Sequence, residues 1–160
     1  MDCVEKSKMS VKVFIEIERL SNMKYEYNKE HKALELDRIL PHPHAYPYAY
    51  GFVPNTLAAD GDELDALIVC YDHSIRNDTT YDAHIVTALR MEDEHGIDDK
   101  LICTLNGAPV SDDVLAEIET FFATYKLNSP GGERWSRTNG FMTKEEAVVL
   151  YEASGSLALS

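Results

Sequence analysis

From Val11 to Glu18 the chain alternates strictly between apolar and polar positions. Val11, Val13, Ile15 and Ile17 fall on one face, and Lys12, Phe14, Glu16 and Glu18 on the other. A period of two marks a strand with one buried face. Lys24-Tyr25-Glu26-Tyr27 alternates again and puts Lys24 and Glu26 on one side. Ala33 to Asp37 reads as a weaker strand. Leu64 to Tyr71, Ala83 to Arg90 and Lys100 to Leu105 are β-rich runs bounded by polar turns. The period then changes to 3.6. Val114, Leu115, Ile118, Phe121, Phe122 and Tyr125 share one helical face. Ser111 is placed to cap that helix, and Asp112 and Asp113 suit its positive end. Thr143 and Glu146 form a capping box for a second helix, with Ala147, Leu150 and Tyr151 as its buried face. Ser154 to Ser160 reads as a frayed end. Strands followed by helices predict an α+β fold, a small closed barrel flanked by helices, in one domain over 1–160.

Composition narrows the function classes. The chain has 160 residues, enough for one sizeable core, and a 44% hydrophobic, 27% charged composition. No apolar run reaches the roughly 20 residues that span a membrane, and the first residues lack a secretory pattern. Cys3, Cys70 and Cys103 make an odd count without a CxxC pair. Buried free thiols at Cys70 and Cys103 and a reducing, cytoplasmic setting are expected. The net charge of −13 argues against nucleic acid and anionic membranes as partners. An acidic protein can still hold an anion when metal ions carry the positive charge.

The candidate chemistry is concentrated in Asp60-Gly61-Asp62-Glu63-Leu64-Asp65. Carboxylates this close repel one another, and hard oxygen donors at this density suit Mg²⁺, Ca²⁺ or Mn²⁺. An acidic surface turn is the bland alternative. A second acidic group runs from Asp93 to Lys100, between two predicted strands. Neither fits an EF-hand, because Leu64 and Ile97 take the fifth loop position and no glycine takes the sixth. The scattered histidines offer no zinc pattern, and no Walker A, G-x-S-x-G or G-x-G-x-x-G motif occurs. Tyr46-Pro47-Tyr48-Ala49-Tyr50-Gly51-Phe52 is aromatic-dense, either a packing cluster or a source of hydroxyl donors. Lys24, Arg38, Lys100, Lys126 and Arg134 are the basic residues of interest, each alone more ordinary as a surface charge.

Taken in order, these elements resemble the family I soluble inorganic pyrophosphatases. The resemblance runs through Ile15-Glu16-Ile17, Lys24-Tyr25-Glu26, Arg38, Tyr46-Pro47, Tyr50-Gly51-Phe52, the Asp60-Gly61-Asp62-x-x-Asp65 signature, Asp93-Glu94, Asp98, Lys100 and Tyr125-Lys126. It covers about residues 11–151. It implies a five-stranded OB-like closed β-barrel with flanking α-helices. The implied reaction is hydrolysis of pyrophosphate to two orthophosphates with several Mg²⁺ ions, Mn²⁺ as a substitute, and no covalent intermediate. By the same resemblance Asp60, Asp65, Asp93 and Asp98 are metal ligands, and Glu16 and Glu26 hold metal-bound waters. Asp62 takes a proton from the attacking water. Lys24, Arg38, Tyr50, Lys100, Tyr125 and Lys126 hold phosphate, with Lys24, Arg38 and Tyr50 counted in the catalytic set. A homo-oligomer is implied as well. The chain departs from the family pattern at Glu18, between Asn77 and His84, in a short segment from Leu105 to Ser111, and at Arg134. Two rivals remain at this stage: a non-catalytic OB-type binding module, and a hydrolase of another phosphoanhydride.

Overall fold

The computed structural model describes residues 10–126 and 134–158. The first alternating stretch forms β1 (Ser10–Ile17), with Val11, Val13, Ile15 and Ile17 all buried. Next come β2 (Met23–Asn28), β3 (Ala33–Ile39), β4 (Ala49–Val53), β5 (Leu64–Ile68), β6 (Thr79–Asp93), β7 (Gly96–Ile97) and β8 (Lys100–Thr104). Helix α1 (Asp112–Thr124), β9 (Ser136–Phe141) and helix α2 (Lys144–Ala158) complete the described chain. The strands β1, β4, β5, β8 and β6 are hydrogen-bonded in that order, and β6 pairs back onto β1. These five therefore close into a barrel, as expected. β5 and β8 run parallel, and the other barrel pairs are antiparallel. β2 and β3 form a separate two-stranded sheet.

Alternation along the barrel strands feeds two cores. Leu64, Ala66 and Ile68 of β5 join Leu101 and Cys103 of β8 in one cluster, together with Ala147 of α2. Leu67 and Ile102 point the other way and pack with Ile118, Phe121 and Phe122 of α1. Full burial of such side chains stabilises by about 1.5–3 kcal/mol each. The Ser111 hydroxyl accepts from Val114 N at 3.3 Å, and the Thr143–Glu146 box is reciprocal, at 2.8 and 3.1 Å.

Gly51 lets β4 lie against β1. A Cβ there would stand 1.8 Å from the Phe14 carbonyl oxygen, so only glycine fits. Three expectations need correction. Ser154 to Ala158 is not frayed: α2 continues through Ala158, and buried Ser154 donates to Tyr151 O at 2.7 Å while its own carbonyl accepts from Leu57 N. Leu159 and Ser160 lie outside the described residues. Cys103 is buried but Cys70 is half-buried, its thiol donating to Asp72 at 3.2 Å; Cys3 lies outside the described residues. β6 extends well beyond Ala83–Arg90 at both ends. The aromatic-dense stretch packs into the second core and also contains β4. Glu18, one of the departures from the family pattern, accepts from Arg76 Nε at 2.8 Å and Asn77 N at 3.0 Å. It thereby ties β1 to the segment that leads into β6.

Candidate active site

The cleft is built where four pieces of chain meet. The β2–β3 hairpin contributes Lys24, Glu26, Asp37 and Arg38, and the loop into β5 with the start of that strand contributes Asp60, Asp62 and Asp65. The end of β6 with β7 and β8 contributes Asp93, Glu94, Asp98 and Lys100, and the end of α1 contributes Tyr125 and Lys126. These side chains, with Glu16 and Tyr50, line one cavity of about 530 Å³. Every site residue expected from the sequence is in that lining.

Local structure explains the convergence. In the hairpin Lys24 pairs with Arg38, whereas Tyr25 pairs with Leu36, so Asp37 bulges from the ladder. The bulge lets Asp37 reach Lys24 Nζ at 3.1 Å beside Glu26 at 2.6 Å. A second bulge lies at Glu16, between the pairs Ile15–Gly51 and Ile17–Tyr50. The Glu16 carboxylate accepts from Tyr27 N at 2.8 Å and so anchors the hairpin. Gly61, at φ +91°, makes the turn that lets the Asp60 carboxylate accept from Asp62 N at 3.1 Å.

The electrostatics are those of an anionic cleft with too few cations. Ten carboxylates face six Lys and Arg side chains. Lys100, fully buried, donates to Asp65 at 2.6 Å and Asp98 at 2.8 Å, and its ammonium lies 5.4 Å from the Tyr50 ring centroid. Burial alone would lower the Lys100 pKa, but Asp65, Tyr50 and Asp98 hold it well above the usual value. One ammonium cannot neutralise two carboxylates, and burial pushes Asp98 up to about 7. Burial likewise pushes Glu16 up to about 7. Asp62 is raised, first by desolvation and then by Asp60. Burial alone would raise Asp93 and Glu94 too. Lys126 donates to them at 2.8 Å and 3.0 Å, and this holds both carboxyls below their usual values. Lys126 therefore serves these carboxylates rather than a helix end. Arg38 is different: among the described residues, its buried Nε and Nη1 have no hydrogen-bond partner.

Sequence reasoning left several cleft residues without a role. Asp37, Lys29 and Glu63 face the cavity, and Glu94 holds both Lys126 and Trp135 N. The hairpin bulge that brings in Asp37 has no signal in the alternation. Arg134, noted only as a basic residue, also lines the cleft.

An OB-like barrel with a carboxylate-rich cleft on its outer wall defines the class, and comparison with known proteins defines the family. The family model described as inorganic pyrophosphatase matches residues 13–157. The inorganic pyrophosphatase of Helicobacter pylori (strain ATCC 700392 / 26695) is 41% identical over 155 residues, covering 89% of this chain and 88% of its own. That of Methanosarcina mazei is 41% identical over 124 residues, covering 71% and 73%. Among solved structures, the Helicobacter pylori enzyme superposes with a TM-score of 0.89 at 37% identity, covering 97% of this chain and 96% of its own. The Thermus thermophilus enzyme superposes at 0.90 with 32% identity, covering 97% and 94%. The chain belongs to the inorganic pyrophosphatase family.

Proposed function

We propose that this protein hydrolyses inorganic pyrophosphate to two orthophosphates, using divalent metal ions held by the aspartate cluster. The observation that carries the reading is Arg38. A half-buried arginine whose buried Nε and Nη1 have no partner among the described residues, in a cleft crowded with carboxylates, is kept for an anionic ligand that brings its own oxygens. Among the described residues, no three His, Cys, Asp or Glu side chains converge closely enough to hold an ion. Lys100 and Lys126 stand between the carboxylate pairs instead. The donor set nonetheless fits a hard cation. It is all oxygen, exceeds the local positive charge, and includes two carboxyls raised to about 7. Asp60, Asp65, Asp93 and Asp98 would hold Mg²⁺, or Mn²⁺ in its place, with Glu16 and Glu26 nearby. When bound, such ions screen the carboxylates from the phosphates and acidify water.

The chain's own residues divide the remaining tasks. Lys24 and Arg38 face the phosphates from the hairpin, and Lys100 and Lys126 face them from the opposite wall. Burial holds the Tyr50 hydroxyl well above its ordinary pKa and raises that of Tyr125, so both stay protonated as donors. Asp62, exposed at the loop, is tied through its backbone to Asp60 and Ala58, and among the described residues its carboxylate has no hydrogen-bond partner, which leaves it to accept the proton of the attacking water. No nucleophilic side chain is needed. A homo-oligomer in the cytoplasm completes the proposal, and the free thiols of Cys70 and Cys103 suit a reducing compartment. No described helix is long and apolar enough to cross a membrane.

Phosphate release from pyrophosphate, tripolyphosphate and ATP, each with Mg²⁺ and with Mn²⁺, tests the reading. Pyrophosphate should dominate with Mg²⁺. No release from pyrophosphate with either ion would overturn it, and a preference for ATP would favour the rival phosphoanhydride hydrolase.

A further inference from the structure

The β2–β3 hairpin is a sheet of its own, yet it carries Lys24, Glu26 and Arg38. The loop into β5 carries Asp60 and Asp62, and the start of β5 carries Asp65. Among the described residues one ion pair joins these two pieces: Lys29 Nζ lies 2.6 Å from Glu63 Oε2. Lys29 directly follows β2, at the turn end of the hairpin, and Glu63 directly precedes β5. Close to the turn, at the penultimate residue of β2, the hairpin is fixed to β1 by the Tyr27 N to Glu16 bond and by the Tyr27 ring, 5.3 Å from Phe14. The turn end makes no strand pairing with the barrel. Lys29 and Glu63 also line both the cleft and an adjoining groove of about 450 Å³ walled by Phe14, Tyr27 and Phe52. The pair therefore stands at the partition between the two.

We infer that Lys29 and Glu63 form a positioning clamp that holds the phosphate-facing hairpin against the acidic loop. This rests on the pyrophosphate reading of the cleft. Neither residue touches the reacting atoms. Lys29 acts through Lys24 and Arg38, and Glu63 acts through the aspartates beside it. The Lys29 side chain is 71% exposed, so the clamp is weak. A weak clamp suits a cleft that must admit a substrate and release two products.

The competing account is that each residue acts only through its charge on a polyanionic substrate, and the two accounts differ in sign. Charge alone predicts that Glu63→Gln lowers KM for pyrophosphate and Lys29→Gln raises it. The clamp predicts that both raise KM, by about two- to fivefold for an exposed pair. It also predicts a near-normal kcat, an unchanged thermal midpoint, and recovery in the swapped Lys29→Glu/Glu63→Lys variant. KM values moving in opposite directions, or no recovery in the swap, would overturn it. Amide exchange across residues 28–33, measured without substrate, reads the clamp independently of the reaction. Exchange should quicken in both single variants and recover in the swap, and unchanged exchange would overturn the clamp. A wild-type protein that failed to hydrolyse pyrophosphate, while the variants showed the quickened exchange, would sink the reaction and keep the clamp.

Discussion

Lys100 and Asp65 face each other across the parallel β5–β8 ladder, and their side chains meet at 2.6 Å. The same ammonium reaches Asp98 two residues back along the chain at 2.8 Å. Its removal leaves two carboxylates facing each other without a cation. Lys100→Met should therefore destabilise the metal-free protein by about 3–5 kcal/mol, the usual cost of removing one partner of a buried pair. Saturating Mg²⁺ should recover part of that loss. Urea midpoints with and without Mg²⁺ measure both, and a variant as stable as wild type would mean that the pair is not coupled to the fold.

Asp62→Asn retains the shape of the side chain and removes its basic oxygen. A positioned general base contributes about 10²–10⁴-fold, and turnover should fall by roughly that factor with metal affinity largely retained. The acidic limb of the pH–rate profile should move upward, because the water must then ionise without an acceptor. Normal turnover with an unmoved profile would take Asp62 out of the mechanism.

Asp65→Ala should do far more damage than Glu63→Ala. Both face the cleft, but Asp65 meets the buried Lys100, whereas Glu63 meets the exposed Lys29. A shift in KM is expected for Glu63→Ala and a collapse of kcat for Asp65→Ala. Equal losses would reduce the acidic loop to a generic turn.

Excess chelator should abolish hydrolysis, and Ca²⁺ should inhibit it. Ca²⁺ accepts the same oxygen ligands but prefers longer, looser bonds and acidifies water less. Full activity after exhaustive chelation is the outcome that refutes this.

The thiol of Cys103 is pushed by burial from 9.0 up to about 12. Between those values the folded chain keeps a proton that the unfolded chain has lost. Stability should thus fall as pH rises above 9, by up to about 1.4 kcal/mol per unit from this one group. Cys103→Ala should flatten that slope while costing some packing energy. Identical slopes from pH 9 to 11 would show that Cys103 does not titrate as described.

The barrel was legible in the sequence wherever one face of a strand met a core. Val11, Val13, Ile15 and Ile17 gave β1 to within a residue at either end. β4 was hidden because Ala49, Tyr50, Gly51 and Val53 are all buried, so no alternation survives. β9 (Ser136–Phe141) was hidden for the opposite reason, with no residue fully buried. Motif order named as a set residues that the fold brings to one cleft, while Asp37 depended on a bulge and Lys29 on a contact across the cleft. Neither of those is a property of a single segment.

β6 begins as the strand that seals the barrel, Ser10 facing His84 and Ile15 facing Thr79, and it ends at Asp93 in the cleft. The position of Asp93 is therefore counted off in residues from the seam. Inserting one residue after Arg90 would leave the barrel ladder to β1 in register while turning Asp93 to the opposite side of the sheet. The parity of a single strand thus decides whether Lys126 meets Asp93 or a neighbouring side chain.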